Sequence, residues 1–250
     1  MAAGCGSSSS NGSSTTTAAS KPSATGKITV SAAASLTEAF NKLGKDFEAA
    51  NPKATVAFNF GSSTTLATQI QQGAPADSFA SADQANMTKL VSAHLIDGTP
   101  VVFAKNKLVI VTKPGNPKHV QTLADLPALG TVALCGADVP CGKYAAQVLQ
   151  NAQVTIPTNK ITRGQDVKAT LAAVMTGDAD AAIVYATDAQ SAGNTVTTVD
   201  IPESQNAIAV YPIGVIAKSS NKATAQAFTA YVTSPAGEAT LKSLGFLPPS

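Results

Sequence analysis

The feature that most constrains this chain is a repeated punctuation: a short apolar run breaks into a turn of small and hydroxyl side chains, and the turn opens a helix. The first instance is Lys27 to Phe40, where Ile28, Thr29 and Val30 give way to Ser31-Ala32-Ala33-Ala34-Ser35 and then to Leu36-Thr37-Glu38-Ala39-Phe40. Ser35 followed by Glu38 has capping-box spacing, which predicts a helix from Leu36 to about Ala50, stopped by Asn51-Pro52. Thr55 to Phe60 alternates like a strand, and Gly61-Ser62-Ser63-Thr64-Thr65 opens a predicted helix over Leu66 to Gln72. A helix N-terminus with free N–H groups and a hydroxyl is suited to an anion. Such caps also start helices that bind nothing, so one turn is weak evidence and two close together are better.

The pattern continues to the end of the chain. Ser78 to Ala80 reads as a short strand, with Ser81-Ala82-Asp83 capping the next helix, and Leu108 to Val111 has the continuous apolar run of a buried strand. Thr131 to Leu134 is a strand whose loop, Cys135 to Cys141, delivers a helix near Gly142. Asp166 is an acidic N-cap for Val167 to Met175, and Asp180 to Tyr185 is a strand ending in a further turn at Ala186 to Ala189. Ala207 to Ala217 reads as strand, and Thr224 to Val232 and Pro235 to Leu244 as closing helices. Strands alternating with helices predict an α/β fold with a mostly parallel sheet, helices on both faces, and ligands where strand C-termini meet helix N-termini.

Composition narrows the function. The 250 residues carry a net charge of +2 and only 13% charged side chains, and Arg163 is the single arginine. A nucleic-acid surface has no electrostatic footprint in such a chain. His94 and His119 have no carboxylate or thiol at metal-ligand spacing and read as surface residues. Residues 1–26 form a Ser/Thr-rich linker with little to bury. Within it, Ala2-Ala3-Gly4 before Cys5 resembles the end of a bacterial lipoprotein signal whose apolar stretch is cut short. This makes Cys5 a candidate for lipidation and a membrane-anchored, extracytoplasmic location the expectation.

The turns taken together carry a resemblance. Ala32-Ala33-Ala34-Ser35-Leu36-Thr37, Phe60-Gly61-Ser62-Ser63, Gly73-Ala74-Pro75-Ala76-Asp77 and Ser81-Ala82-Asp83-Gln84 resemble the molybdate-binding protein of bacterial ABC importers, the ModA family. Val139-Pro140-Cys141-Gly142-Lys143-Tyr144-Ala145, Asp166-Val167 and Ile183-Val184-Tyr185 with Asp188-Ala189 follow in the family's order. The resemblance runs from Lys27 to Gly245-Phe246. It implies a two-lobed, type II periplasmic-binding-protein-like fold with the ligand in the cleft. The lobes would be residues 27–108 plus 212–250, and residues 109–211, with crossings near Leu108 and Tyr211. It further implies a monomeric, non-enzymatic receptor that needs no cofactor, takes molybdate or tungstate, and docks on a membrane permease and its ATPase.

Carried over by position, Ser35 and Ser63 would donate hydroxyl and backbone N–H groups, Cys141 and Val167 backbone N–H groups, and Tyr185 its phenol. Any contact with the metal would run through the oxyanion's oxygens. Cys141 departs from the small alanine of the family, which matters little if only its amide is used. Cys135 and Cys141, in a protein placed outside the cytoplasm, are expected to form a loop-closing disulfide, with two free thiols or a redox pair as alternatives.

Physical chemistry supports this donor set. Burying a dianion costs tens of kcal/mol in an idealised apolar medium, and a helix dipole returns only about 0.3–1 kcal/mol. Charge-assisted hydrogen bonds return about 1.5–3 kcal/mol each. Roughly five to seven of them could bring affinity to about −8 to −12 kcal/mol. The Ser35 and Ser63 turns contain no acid to accept a proton from phosphate, which favours a fully ionised oxyanion such as molybdate, tungstate or sulfate. Asp138 and Asp166 in later loops qualify that argument, although Asp166 reads better as a cap. A sulfate receptor is the near alternative. A serine hydrolase built on Ser35 or Ser63 lacks a Gly-x-Ser-x-Gly setting and a converging histidine.

Overall fold

The computed structural model describes Met1, Ala2 and residues 24–250. Cys5 and most of the predicted linker lie outside the described residues. The first half of the fold comprises β1 (Gly26–Ala33), α1 (Thr37–Ala50), β2 (Ala54–Gly61), α2 (Ser63–Gln71), β3 (Ser78–Ala80) and α3 (Gln84–Ser92). A 17-residue strand, β4 (Ile96–Thr112), leads out of it. The second half comprises β5 (Val132–Cys135), α4 (Pro140–Asn151), β6 (Ile161–Gly164), α5 (Val167–Met175), β7 (Ala181–Tyr185), α6 (Ala186–Ala192) and β8 (Thr197–Asp200). Strand β9 (Ile208–Ile216) returns to the first half, where α7 (Lys222–Val232) and α8 (Pro235–Ser243) close the chain.

The strand order is β2-β1-β3-β9-β4-β7-β5-β6, with β8 also paired to β4. Parallel pairing holds on the flanks, β2-β1-β3 and β6-β5-β7, where each strand is followed by a helix. The centre is antiparallel, because the chain leaves the first half along β4 and comes back along β9. Strand β4 also changes partner along its length: Ile96 to Lys107 pair with β9, and Leu108 to Thr112 with β7 and β8. Tyr211 lies inside β9 opposite Ala104.

Two local expectations are corrected. Ser35 does not cap α1: Ala34–Leu36 form a 3-10 turn, α1 starts at Thr37, and its cap position Leu36 has no side-chain bond. The Ser35 hydroxyl instead meets Tyr211 Oη at 2.9 Å, and Glu38 reaches Lys168. Helix α2 begins three residues earlier than expected, with Ser62 as its cap accepting from the Thr65 amide at 3.1 Å. Asp83 and Asp166 cap α3 and α5, each accepting an amide three residues on.

The core of the first half is aromatic. Phe40 is fully buried, and its ring centroid lies 6.0 Å from Phe58, 5.7 Å from Phe103 and 6.0 Å from Phe228. Phe40 thereby ties α1 to β2, β4 and α7, which sets the position of the turn that precedes α1. Truncating it removes the hub and leaves a cavity in a packed interior, so Phe40→Ala is expected to cost about 3–5 kcal/mol. A shift of the urea midpoint of that size, with an unchanged denaturant slope, is the expected measurement.

Candidate functional site

All five sequence-predicted residues line one cavity. Ser35, Ser63, Cys141, Val167 and Tyr185 share its wall with Ala33, Ala34, Gly61, Ser62, Ala82, Pro140 and Asp166. The five come from five different strand-to-helix junctions: β1 to α1, β2 to α2, β5 to α4, β6 to α5 and β7 to α6. Ser63 and Val167 open their helices, Cys141 is second in its helix behind Pro140, and Tyr185 is the cap position of α6. The first amides of a helix have no partner within it, so these junctions concentrate N–H donors at one place. About 20 Å³ is open to the centre of a water-sized sphere. That corresponds to a recess of roughly 3 Å radius around one centre, the scale of a single tetrahedral oxyanion rather than a sugar or an amino acid.

Hydrogen bonds set which hydroxyls can donate inward. The Ala82 amide donates to Ser63 Oγ at 2.9 Å, occupying a lone pair and leaving the serine proton free. Ser35 Oγ and Tyr211 Oη are 2.9 Å apart, and if the phenol donates, the Ser35 proton is free as well. Burial drives the Tyr185 phenol far above its ordinary pKa, so it stays a protonated donor. Its hydroxyl is buried and has no hydrogen-bond partner among the described residues. A buried donor without an acceptor costs about 1–3 kcal/mol, so this one favours an acceptor in the cavity.

Among the described residues, no lysine or arginine lines the cavity. Arg163, on the neighbouring β6, is turned away and donates from Nη1 to Cys135 O at 2.7 Å. Cys135 and Cys141 are joined by a disulfide that pins the turn opening α4. Gly142 is required there, since a Cβ would sit 1.9 Å from Gly136 O. Asp166 reaches the wall, but its Oδ1 accepts the Ala169 amide at 2.9 Å as a helix cap. Asp138 is exposed and contributes only its carbonyl, which accepts from Thr64 Oγ1 at 3.0 Å across the two halves. His94 and His119 are both exposed, and neither hydrogen-bonds Ser35 or Ser63.

Sequence reasoning missed Tyr211, Ala82 and Ser62. Tyr211 sits in an apolar run where nothing marks it, and its role follows only from the return of β9 beside β4. Its ring lies 6.0 Å from Tyr185 and 5.6 Å from Phe246, linking the cavity wall to the core.

A set of neutral donors at helix N-termini, enclosed between two α/β halves joined by crossing strands, defines a solute-binding protein for a small anion. Comparison with known proteins agrees. Residues 28–247 match the family described as Bacterial extracellular solute-binding protein. The chain is 44% identical over 223 residues to the molybdate-binding protein ModA of Mycobacterium tuberculosis, covering 89% of this chain and 85% of that one. It is 35% identical to ModA of Escherichia coli, with 88% and 89% covered. The periplasmic molybdate-binding protein of Azotobacter vinelandii shares the fold, with a TM-score of 0.81 at 23% identity over 89% of this chain and all of that one. The chain belongs to the ModA family of bacterial extracellular solute-binding proteins.

Beside the cavity, Asp188 is fully buried in the first turn of α6, and burial pushes its pKa up to about 6. Lys168 Nζ lies 3.0 Å from Asp188 Oδ1, an ion pair whose angles fall short of a directed hydrogen bond, and it offsets only part of the burial cost. A folded-state pKa above the ordinary carboxylate value means the native form holds the proton more tightly. The stabilisation from Asp188 is therefore fully present below about pH 4 and lost as pH rises through 6. The stability difference between wild type and Asp188→Asn is expected to shift against wild type from pH 4 to 6 and to level off above. Urea midpoints across that range check this, and a pH-independent difference would contradict it.

Proposed function

We propose that this receptor captures molybdate, and tungstate with it, in the cavity bounded by Ser35, Ser63, Cys141, Val167 and Tyr185. The observation that carries the proposal is the buried Tyr185 hydroxyl, a permanent donor without an acceptor in an anion-sized cavity. Names borne by relatives at 44% and 35% identity supply the oxyanion. Hydroxyls of Ser35, Ser63 and Tyr185, with amides of Ser35, Ser63, Cys141 and Val167, give about seven donors, each contributing about 1.5–3 kcal/mol to a charged acceptor. Within each lobe their spacing is held by the fold before the ligand arrives, so the ordering cost of binding is confined to closure of the lobes. The Ser35 and Ser63 turns offer no acid to the protonated oxygen of phosphate and Asp166 Oδ1 is engaged as a cap, so a fully ionised oxyanion is preferred.

Release to an importer requires the lobes to part. In this reading the hinges are the partner switch of β4 at Lys107–Leu108 and the segment 201–207 that precedes β9, and the lobes swing about them. The bound anion is handed to a membrane permease driven by its ATPase. No helix among the described residues is long and apolar enough to cross a membrane. Lipidation at Cys5 would tether the receptor beside that permease. The chain acts by binding and release, with both serine hydroxyls committed to the cavity.

A ligand bound only by the folded protein raises its melting temperature. Molybdate and tungstate are expected to do so, with phosphate inert; a shift from sulfate alone would reassign the ligand. Removing one donor to a charged group costs about 1–3 kcal/mol, so Tyr185→Phe and Ser63→Ala should each weaken molybdate binding about tenfold to hundredfold. Unchanged affinity in the double variant, measured by titration calorimetry, would remove the site.

A further inference from the structure

One charged cluster outside the cavity wall joins three of the helices that form it. Lys168 follows Val167 in α5, Glu38 lies three residues after Ser35, and Asp188 three after Tyr185. Lys168 Nζ donates to both carboxylate oxygens of Glu38 at 2.8 Å and sits 3.0 Å from Asp188 Oδ1. Lys168 and Asp188 belong to the second lobe, on α5 and α6, whereas Glu38 belongs to the first, on α1. Of the ion pairs that cross the cleft among the described residues, Lys168–Glu38 is the short one. Lys143 to Asp83 spans 3.9 Å.

We propose that Lys168 is a positioning residue that latches the closed lobes over the anion by taking Glu38 of the opposite lobe while keeping Asp188 of its own. The inference rests on the oxyanion-receptor reading. Two carboxylates in the first turns of helices that surround an anion oppose its binding unless a cation stands among them. Lys168 supplies that cation from the second residue of α5, without entering the cavity, and so leaves the wall to neutral donors. Asp188 is covered in either state of the cleft because its partner is on the same lobe. Glu38 is paired only when the lobes meet, which makes its neutralisation a property of the closed state.

This arrangement separates a latch from general electrostatics. Glu38→Gln removes a negative charge near the site, and charge alone predicts slower escape of a dianion. The latch predicts the reverse. Because Glu38 and Lys168 are both partly exposed, solvent screening limits the effect to about a threefold to tenfold faster dissociation. The melting temperature of unliganded Glu38→Gln should match wild type, since the pair within the second lobe is intact. Lys168→Met should weaken binding by tenfold or more, and Lys168→Arg should restore it to within about threefold.

The test is the dissociation rate of radiolabelled molybdate chased with unlabelled molybdate, for wild type and the three variants. Faster release from Glu38→Gln with rescue by Lys168→Arg supports the latch. Unchanged or slower release from Glu38→Gln, in a wild type that binds molybdate, overturns the latch and leaves the receptor standing. A wild type that retains no molybdate overturns both.

Discussion

Helix N-termini carry N–H groups that no residue of their own helix can satisfy. Here five strand-to-helix junctions bring that demand to one small cavity. The demand is met in part locally, by Ser62 and Asp166 acting as caps. What remains faces a recess of about 3 Å radius whose wall, among the described residues, holds no cation. A cationic side chain would bind many anions and would change with pH or salt. A set of neutral donors responds to the shape of the ligand and favours a fully ionised oxyanion, since Asp166, the acid on the described wall, has Oδ1 engaged as a helix cap. The chemistry of the site is therefore set by backbone geometry, and the sheet exists to hold that geometry.

In the proposed reading, strands β4 and β9 give the cage its two states. A receptor must hold its ligand and also let it go, so the donors cannot all sit on one rigid body. Strand β4 pairs first with β9 and then with β7 and β8, and the side chains of Thr64 and Lys168 reach across from one half to the other. Tyr211 lies on β9 at this junction, and its hydroxyl positions Ser35 while its ring packs near Tyr185. A tyrosine from the crossing strand thus orders donors from both sides. The charged partners of Lys168 lie just behind the same turns.

Much of this was legible in the sequence, and the misses have physical causes. The strand-turn-helix rhythm marked the turns, and the resemblance to the molybdate-binding family picked out Ser35, Ser63, Cys141, Val167 and Tyr185 within them, all of which line the cavity. Their neighbourhoods were read less well. The Ser35 to Glu38 spacing is that of a capping box, yet both side chains are drawn to tertiary partners, Tyr211 and Lys168, which outcompete the local cap. The first part of β4 escaped because Gly98 and Pro100 interrupt it and two register shifts break its alternation. Strands β6 and β8 are four residues each, too short for a period to show. Tyr211 and Lys168 act through contacts between segments more than a hundred residues apart, which no local pattern encodes.

The central claim is that one oxyanion sits among these five junctions. Crystals grown with molybdate and measured at the molybdenum absorption edge test it without inference from affinity. A single strong anomalous peak is predicted inside the cavity, within hydrogen-bond reach of the Tyr185 hydroxyl through an oxygen of the anion. A peak elsewhere on the chain, with the Tyr185 hydroxyl still lacking an acceptor, would contradict the account.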